Sequence, residues 1–202
     1  MTRHFGKSLA AGLMLLCAYG NVSLAFEPYG EIGKKWRELG AAGGPLGVAR
    51  SDESDAARGG RFNQFQNGFI YWHPKFGAHA VYGLIGQKWD QLGREKGVGY
   101  PLTDEQPAAG GGRFNDFEDG KSISWSRRTG AHLVYGSIRV EWIKRGREGG
   151  GCGYPTSDEI ADGNFRRSNF EKGFIRWSAS TGAVARCAVK IDDGTALNPV
   201  RE

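Results

Sequence analysis

The apolar positions of this chain recur in three similar blocks, and each block combines two different spacings. The first spacing is helical, because an isoleucine is followed four residues later by a tryptophan, as in Ile32 and Trp36. A glycine, Gly40, follows soon after and permits a left-handed helix cap. This pattern predicts a two-turn amphipathic helix. The other copies of the isoleucine and tryptophan pair are Ile85 with Trp89, and Ile138 with Trp142.

The second spacing alternates and predicts a β-hairpin in each block. In the first block, the strand Arg61-Phe62-Asn63-Gln64-Phe65 precedes Asn67-Gly68, a strong hairpin turn signal. The return strand then places Ile70 and Trp72 on one face by its period of two. The corresponding pairs of the other blocks are Ile123 with Trp125, and Ile175 with Trp177. Between helix and hairpin each block has a glycine-rich turn and an acidic pair, namely Asp52-Glu53, Asp104-Glu105 and Asp158-Glu159.

The helix tryptophans recur at intervals of 53 residues, which indicates three tandem copies of one supersecondary unit. We predict a mainly β fold with short helices, in which the units span residues 29–81, 82–134 and 135–186 of a single domain, 26–190. A C-terminal tail, 191–202, follows. The units either pack compactly about a pseudo-threefold axis with the helices outside, or pair their terminal edges between molecules.

The first 25 residues have the features of an export signal. Arg3 and Lys7 precede an apolar run over residues 9–18, and Ser23-Leu24-Ala25 ends in small residues suited to cleavage. We therefore expect a mature chain that begins near Phe26 and is secreted or associated with the cell envelope. The apolar run is too short for a spanning helix, and no later segment is apolar enough, so we expect no membrane span.

Charge and cysteine content narrow the choice of partner and compartment. Without Arg3 and Lys7 the formal charge falls from +5 to +3, and the remaining charges are interleaved. The chain therefore lacks the basic stripe that nucleic acid binding requires. Cys152 and Cys187 remain after processing, and an exported chain with an even number of cysteines usually pairs them. The alternative is two buried free thiols.

The turn segments carry a resemblance to a known family. Val98-Gly99-Tyr100-Pro101 and Cys152-Gly153-Tyr154-Pro155, with the flanking Trp, Asp-Glu, Gly-x-Ile-x-Trp and Thr-Gly-Ala, resemble the LGFP repeat over about residues 29–190. The first copy departs from the pattern at Val48-Ala49, and the third has Arg167 in place of phenylalanine. The resemblance implies a propeller-like ring of short β units and a non-catalytic module of exported bacterial proteins. Such modules often accompany mycolyl-transferring or wall-hydrolysing domains and tether them to wall polysaccharide.

The residues themselves provide little that is typical of an enzyme. No nucleophile elbow and no His-Glu-x-x-His motif occurs, so we predict no catalytic residue, no metal site and no cofactor. The acidic pairs are the more serious candidates, since paired carboxylates cleave glycosidic bonds. Their repetition argues against this role, because glycosidases need two carboxylates in unlike environments. Asp52, Asp104 and Asp158 are instead expected either to fix the turns by accepting backbone N–H groups or to contact a ligand.

Aromatic residues form the second set of candidates. Trp36, Trp89 and Trp142 lie on the apolar face of a helix and are predicted to be core. Strand tryptophans precede a glycine turn, where an amphipathic ring either packs internally or binds a ligand. The candidate polysaccharide contacts are accordingly Trp72, Trp125, Trp177, Tyr71, Tyr100, Tyr154 and Arg176, together with the three aspartates.

These observations favour an exported, non-catalytic repeat module that binds cell-wall or envelope polysaccharide through repeated shallow aromatic and polar sites. Weak sites on one rigid body add through effective concentration. The alternative is a secreted module for protein–protein interaction or structural support. A third hypothesis, a wall glycan hydrolase, would use Asp104 and Glu105 or their copies.

Overall fold

The structure, a computed structural model, describes residues 26–188, and the predicted export signal and C-terminal tail fall outside these residues. Helices and strands alternate in three similar blocks. The helices are α1 (Gly30–Glu38), α2 (Gly83–Gln91), α3 (Arg94–Gly97) and α4 (Gly136–Lys144). The strands are β1 (Ser54–Asp55), β2 (Arg61–Phe65), β3 (Gly68–His73), β4 (Gly77–Tyr82), β5 (Gln106–Pro107), β6 (Arg113–Phe117), β7 (Lys121–Ser126), β8 (Gly130–Tyr135), β9 (Ile160–Asp162), β10 (Phe165–Phe170), β11 (Gly173–Ser178) and β12 (Gly182–Cys187).

The strands form three separate four-stranded antiparallel sheets, β1-β2-β3-β4, β5-β6-β7-β8 and β9-β10-β11-β12. The prediction of three tandem, mainly β repeats with short helices is confirmed. In the first hairpin Phe65 pairs with Gly68, so the turn residues are Gln66 and Asn67, one position earlier than predicted. The third sheet pairs Arg167 with Arg176, where the first pairs Phe62 with Tyr71, and the predicted equivalence of Arg167 and Phe62 therefore holds.

Helices α1 and α2 end at the glycines that the sequence predicts. Gly40 and Gly93 follow α1 and α2 in the left-handed region, with φ of 93° and 86°. Gly146 follows α4 in the same way, with φ of 90°. The helix axis therefore stops after nine residues, and the chain turns toward its own sheet.

The helices lie against the sheets, and two of them lie between neighbouring sheets. Helix α1 packs on the first sheet, with Ile32 and Trp36 against Ile70. Helix α2 packs on the opposite face of that sheet and also on the second sheet, and α4 bridges the second and third sheets in the same way. The expectation of helices on the outside is therefore wrong for α2 and α4, because apolar side chains also lie on the second face of each sheet and need cover, namely Phe69, Tyr71 and Val81 in the first sheet and Val134 in the second.

Contacts between repeats join first to second and second to third. Among residues 26–188, no side-chain hydrogen bond or ion pair joins the first repeat to the third, and no sheet closes on itself. A propeller-like ring stays a prediction. The predicted disulfide is confirmed, since Cys152 in the third turn is bonded to Cys187 at the end of β12. No helix in the described part of the chain is long and apolar enough to cross a membrane.

Candidate functional site

The helix tryptophans are structural. Trp89 and Trp142 are fully buried, and Trp36 nearly so, as predicted for core residues. Each indole Nε1 donates a hydrogen bond to a glycine carbonyl oxygen of the turn that follows its helix. The three acceptors are Gly47 at 2.9 Å, Gly99 at 3.2 Å and Gly153 at 3.0 Å. The tryptophan thus fixes the glycine-rich turn to the helix, because an unmet buried N–H and carbonyl would each be costly.

The strand tryptophans occupy an intermediate environment. Trp72, Trp125 and Trp177 are partly buried, and each packs on the apolar cluster of its own repeat. Part of each ring remains exposed to solvent. Their role as ligand contacts stays a prediction.

The tyrosines proposed as ligand contacts lie inside the protein. Tyr71, Tyr100 and Tyr154 are at most 5% exposed. Tyr100 and Tyr154 cross into the preceding repeat, where their hydroxyls donate to the carbonyl oxygens of Ala57 and Ala109. Burial is the main cause that raises the pKa of all three hydroxyls. These side chains join the repeats, and a role in ligand contact stays a prediction.

Asp104 joins the second repeat to the first. Its carboxylate accepts hydrogen bonds from the Ala80 N–H at 2.9 Å and from the Lys35 ammonium at 2.9 Å, and it lies 3.6 Å from His79 Nδ1. Burial alone would raise the pKa of Asp104, but hydrogen bonding with His79, Lys35 and the Ala80 N–H outweighs burial and lowers the pKa to about 2. Asn115 completes the contact by donating to the Ala80 carbonyl oxygen at 3.1 Å.

Asp158 repeats this arrangement between the second and third repeats. It accepts from the Leu133 N–H at 3.0 Å and from Lys88, and it lies 3.5 Å from His132 Nδ1. Its pKa is again lowered to about 2, because hydrogen bonding to His132, Lys88 and the Leu133 N–H outweighs burial. Asp52 occupies the corresponding place in the first repeat and is exposed. The aspartates that the sequence placed near turns thus hold the inner junctions together.

The glutamates of the acidic pairs point to other partners. Glu53 lies 2.9 Å from Arg61, Glu105 lies 3.4 Å from Arg113, and Glu159 lies 2.7 Å from Arg166. Each of these arginines begins or nearly begins the second strand of its own sheet. In the second and third pairs the two carboxylates are therefore engaged separately, the aspartate between repeats and the glutamate within a repeat.

A cleft with both polar and apolar lining opens at the junction of the first and second repeats, where the hairpin turn of the first sheet faces α2. Its volume is about 430 Å³. Four amide side chains line it, together with Tyr82 and Asp90, and the amides are Gln64, Gln66, Asn67 and Gln87. Gln64, Gln66 and Gln87 are exposed to solvent. Asn67 supports the turn by donating to the Pro45 carbonyl oxygen at 3.0 Å.

The cleft exists at one junction because Gly86 has no side chain. The fourth residue of α2 is Gly86, whereas the fourth residue of α4 is Arg139. Arg139 donates to Ser122 and lies 3.1 Å from Asp116, the counterpart of Gln64. A charged cluster therefore occupies at the second junction the place that is open at the first.

Sequence reasoning identified none of the residues that line this cleft. A signal was present, because alignment of the three helices shows glycine at position 86 against arginine at 139, and the segment from Gln64 to Asn67 is rich in amides. Arg176, by contrast, lies on the outer face of the third sheet, with its guanidinium 4.3 Å from the Phe165 ring centre. Within residues 26–188 no group of three or more potential metal ligands is present.

Comparison with known proteins places this architecture in a family. The crystal structure of the extracellular domain of a protein from B. thetaiotaomicron, named as a one component system, is similar at 14% identity with a TM-score of 0.19. The match covers 69% of this chain but 16% of that one, so the chain spans about a sixth of its length. A comparison with curated protein sequences gave no match. The model of the LGFP repeat matches residues 46–97, 98–150 and 153–190, and the chain therefore belongs to the LGFP repeat family.

Proposed function

We propose that this protein is an exported, non-catalytic repeat module that binds a cell-wall or envelope polysaccharide. The observation that carries the proposal is the cleft at the first junction. An amide side chain both donates and accepts hydrogen bonds, as a sugar hydroxyl does, so Gln64, Gln66 and Gln87 match a polyhydroxylated ligand. The cleft is open to solvent, so a segment within a long chain can enter it.

Two further groups in the cleft complement this chemistry. Asp90 is exposed and, although it accepts from Arg94, it retains acceptor capacity for a vicinal hydroxyl. Burial is the main cause that raises the pKa of Tyr82, so its hydroxyl is a neutral donor at neutral pH. The partly buried Trp72, Trp125 and Trp177 supply the repeated weak contacts, which add to the cleft through effective concentration.

Export is supported by the character of residues 1–25 and by the disulfide between Cys152 and Cys187, which persists in oxidising compartments. Absence of catalysis is part of the proposal. Its support is that Asp104 and Asp158 each accept a backbone N–H and a lysine, while Glu105 and Glu159 pair with arginines. A carboxylate that acts on a glycosidic bond needs access to substrate.

The test is co-sedimentation of the protein with deproteinised, insoluble envelope polysaccharide. The variant Gln64→Ala/Gln87→Ala removes two cleft amides, and Gln91→Ala/Gln106→Ala removes two exposed amides outside the cleft. Each lost hydrogen bond costs roughly 1 kcal/mol, so the loss of two should weaken binding by the cleft variant about thirtyfold. The control variant should bind as the wild type does.

Equal binding by the cleft variant and the wild type would remove the cleft from the proposal. Failure of the wild type to bind any glycan would reject polysaccharide binding and favour the alternative, a module for protein–protein interaction or structural support. Release of reducing sugar that disappears in Asp104→Asn/Glu105→Gln would instead establish a hydrolase.

A further inference from the structure

The outer face of the third sheet differs in composition from the faces that correspond to it. In the first sheet this face carries Phe69, Tyr71 and Val81, which are buried beneath α2. In the third sheet no described element packs over it. We call the third-sheet face the terminal face. It includes two phenylalanines, three arginines and one acid, namely Phe165, Phe174, Arg167, Arg176, Arg186 and Asp162, together with Ile160, Asn169 and Val184.

Two like charges are directly opposed on the terminal face. Arg167 on β10 pairs in register with Arg176 on β11, an arrangement that is unfavourable between strands. Each guanidinium stacks on a phenylalanine instead of an acid, with Arg167 4.4 Å from the Phe174 ring centre and Arg176 4.3 Å from that of Phe165. The aromatic rings therefore hold the two guanidinium groups in place by cation–π contact.

The charge of Arg176 is not neutralised by any described residue. Its guanidinium makes no hydrogen bond or ion pair within residues 26–188, and its Nε is shielded from solvent without a partner. Arg167 donates to Asn169 at 2.8 Å and has one acidic neighbour, Asp162, at 3.7 Å. Arg186 is exposed on the adjacent strand, opposite Phe174. The face thus carries three cations and one acid.

In the first and second sheets a helix covers the strand position that corresponds to Arg176, and a carboxylate lies near this position. The counterpart of Arg176 in the second sheet, Ser124, donates to the Glu148 carboxylate at 2.6 Å. Its counterpart in the first sheet, Tyr71, lies near Glu95, which contributes after burial to raising the pKa of Tyr71. A carboxylate therefore lies near this position in the two other repeats. An arginine at the same position binds a carboxylate more strongly than a serine or a tyrosine does.

We propose that the terminal face binds a polysaccharide that carries carboxylates, such as a polyuronate. The identification of a glycan rests on the proposed function, whereas the requirement for carboxylates rests on the three arginines. Arg167 and Arg176 lie directly opposite each other on adjacent strands, which are about 4.8 Å apart, and Arg186 lies on the next strand, opposite Phe174 and two residues off this line. The three arginines therefore form a staggered cluster of charges, which suits a polymer that carries several acids. A planar guanidinium binds a carboxylate in a bidentate manner. Peptides are more often bound at sheet edges or in grooves than on a flat face.

The experiment measures binding of the full chain to polygalacturonate, with its methyl ester as the neutral counterpart. Arg167→Gln/Arg176→Gln should bind polygalacturonate at least tenfold more weakly. The matched control Arg50→Gln/Arg127→Gln removes two exposed arginines elsewhere and should bind as the wild type does. The methyl ester should not respond to either variant. Thermal unfolding of each variant establishes that it is folded.

Three results would overturn this proposal. The first is equal loss in the control variant, which would indicate net charge alone. The second is equally tight binding of poly-L-glutamate with the same dependence on Arg167 and Arg176, which would assign the face to an acidic protein. The third is no wild-type binding. If binding then appears in Asp192→Asn/Asp193→Asn, the occupant is the chain's own C-terminal segment.

Failure of this proposal can be distinguished from failure of the proposed function. Binding of a neutral envelope polysaccharide that depends on Gln64 and Gln87 but not on Arg167 and Arg176 would support the cleft and reject the terminal face. Binding of polygalacturonate that depends only on the arginines would do the reverse.

Discussion

Replacement of Asp104 by asparagine tests whether the repeats are held together by partly buried carboxylates. The side chain of Asp104 is 25% exposed and is flanked by Lys35 and His79 of the preceding repeat. Its pKa falls from an ordinary 3.8 to about 2. Because one pKa unit corresponds to about 1.4 kcal/mol, the folded state favours the charged carboxylate by roughly 2 kcal/mol. Asparagine can still accept the Ala80 N–H bond but has no charge, so Asp104→Asn should lose roughly that amount at pH 7.

The pH dependence of this loss has a definite sign. A carboxylate with a lowered pKa contributes stability above its unfolded pKa, and this contribution disappears as the pH falls through the folded value. The difference between wild type and Asp104→Asn should therefore be full above about pH 5 and should shrink toward zero near pH 2. Urea unfolding at a series of pH values, followed by tryptophan fluorescence, measures it.

The chain contains its own control. Asp52 occupies the same place in the first repeat but is exposed, so Asp52→Asn should change the free energy of unfolding by no more than about 0.5 kcal/mol. Asp158→Asn should act in the same direction as Asp104→Asn but less strongly, because the Asp158 side chain is 34% exposed and is better screened by water. The reasoning is refuted if Asp52→Asn costs as much as Asp104→Asn, or if the cost of Asp104→Asn persists unchanged at pH 2.

Three other changes should lower stability by different mechanisms. Replacement of Cys152 and Cys187 by serine opens a loop with a sequence separation of 35 and should cost about 4 kcal/mol in urea unfolding by the chain-entropy estimate. Gly112→Ala places a methyl group against the Tyr154 hydroxyl and ring and against the Trp125 carbonyl oxygen, and should cost about 1 to 3 kcal/mol. In a double-mutant cycle Tyr154→Phe should relieve only part of that cost, because the contacts with the ring and the carbonyl oxygen remain. Trp89→Ala should cost about 3 to 5 kcal/mol in the same assay, because Trp89 is fully buried and its Nε1 bonds a turn carbonyl.

The repeated unit could be predicted from the sequence because its determinants are local. The spacing of Ile85 and Trp89 with Gly93 defines a helix and its end within a few residues. The alternation in Arg61-Phe62-Asn63-Gln64-Phe65 defines a strand whose partner follows after a two-residue turn. Such signals act over short stretches of chain, and the structure confirms them with a shift of one residue at the first turn.

One face of the return strand of a hairpin does not reveal that helices α2 and α4 lie between neighbouring sheets. Phe69-Ile70-Tyr71-Trp72 is a continuous apolar run, which is typical of a strand covered on both sides. The prediction assigned Ile70 and Trp72 to one face and did not use the other two residues. In the third repeat Arg176 interrupts the run, because that face has no helix over it. Comparison of this strand between the first and third repeats therefore indicates which sheet has a helix on its second face.

The cleft and the carboxylate contacts were beyond sequence reasoning for another reason. The cleft depends on the absence of a side chain at Gly86, and an absence has meaning only once Arg139 is known to fill the corresponding place. Asp104 contacts Lys35, which lies 69 positions earlier in the chain. Proximity to the turn suggested a local role for Asp104, whereas its partners belong to the preceding repeat.

The two ends of the array lack the residues that form its inner junctions. At each inner junction the earlier repeat contributes a lysine and a histidine, which are Lys35 and His79 or Lys88 and His132. The later repeat contributes an aspartate, a glutamate and a tyrosine, which are Asp104, Glu95 and Tyr100 or Asp158, Glu148 and Tyr154. The third repeat has Glu141 and Val184 in place of the lysine and histidine, and the first repeat has Ala42 and Val48 in place of the glutamate and tyrosine. Phe165 also stands in the third repeat where Gly60 and Gly112 admit a tyrosine hydroxyl. The third repeat therefore cannot dock on the first by these contacts, either within one chain or between copies, and its terminal face is left available for a different partner.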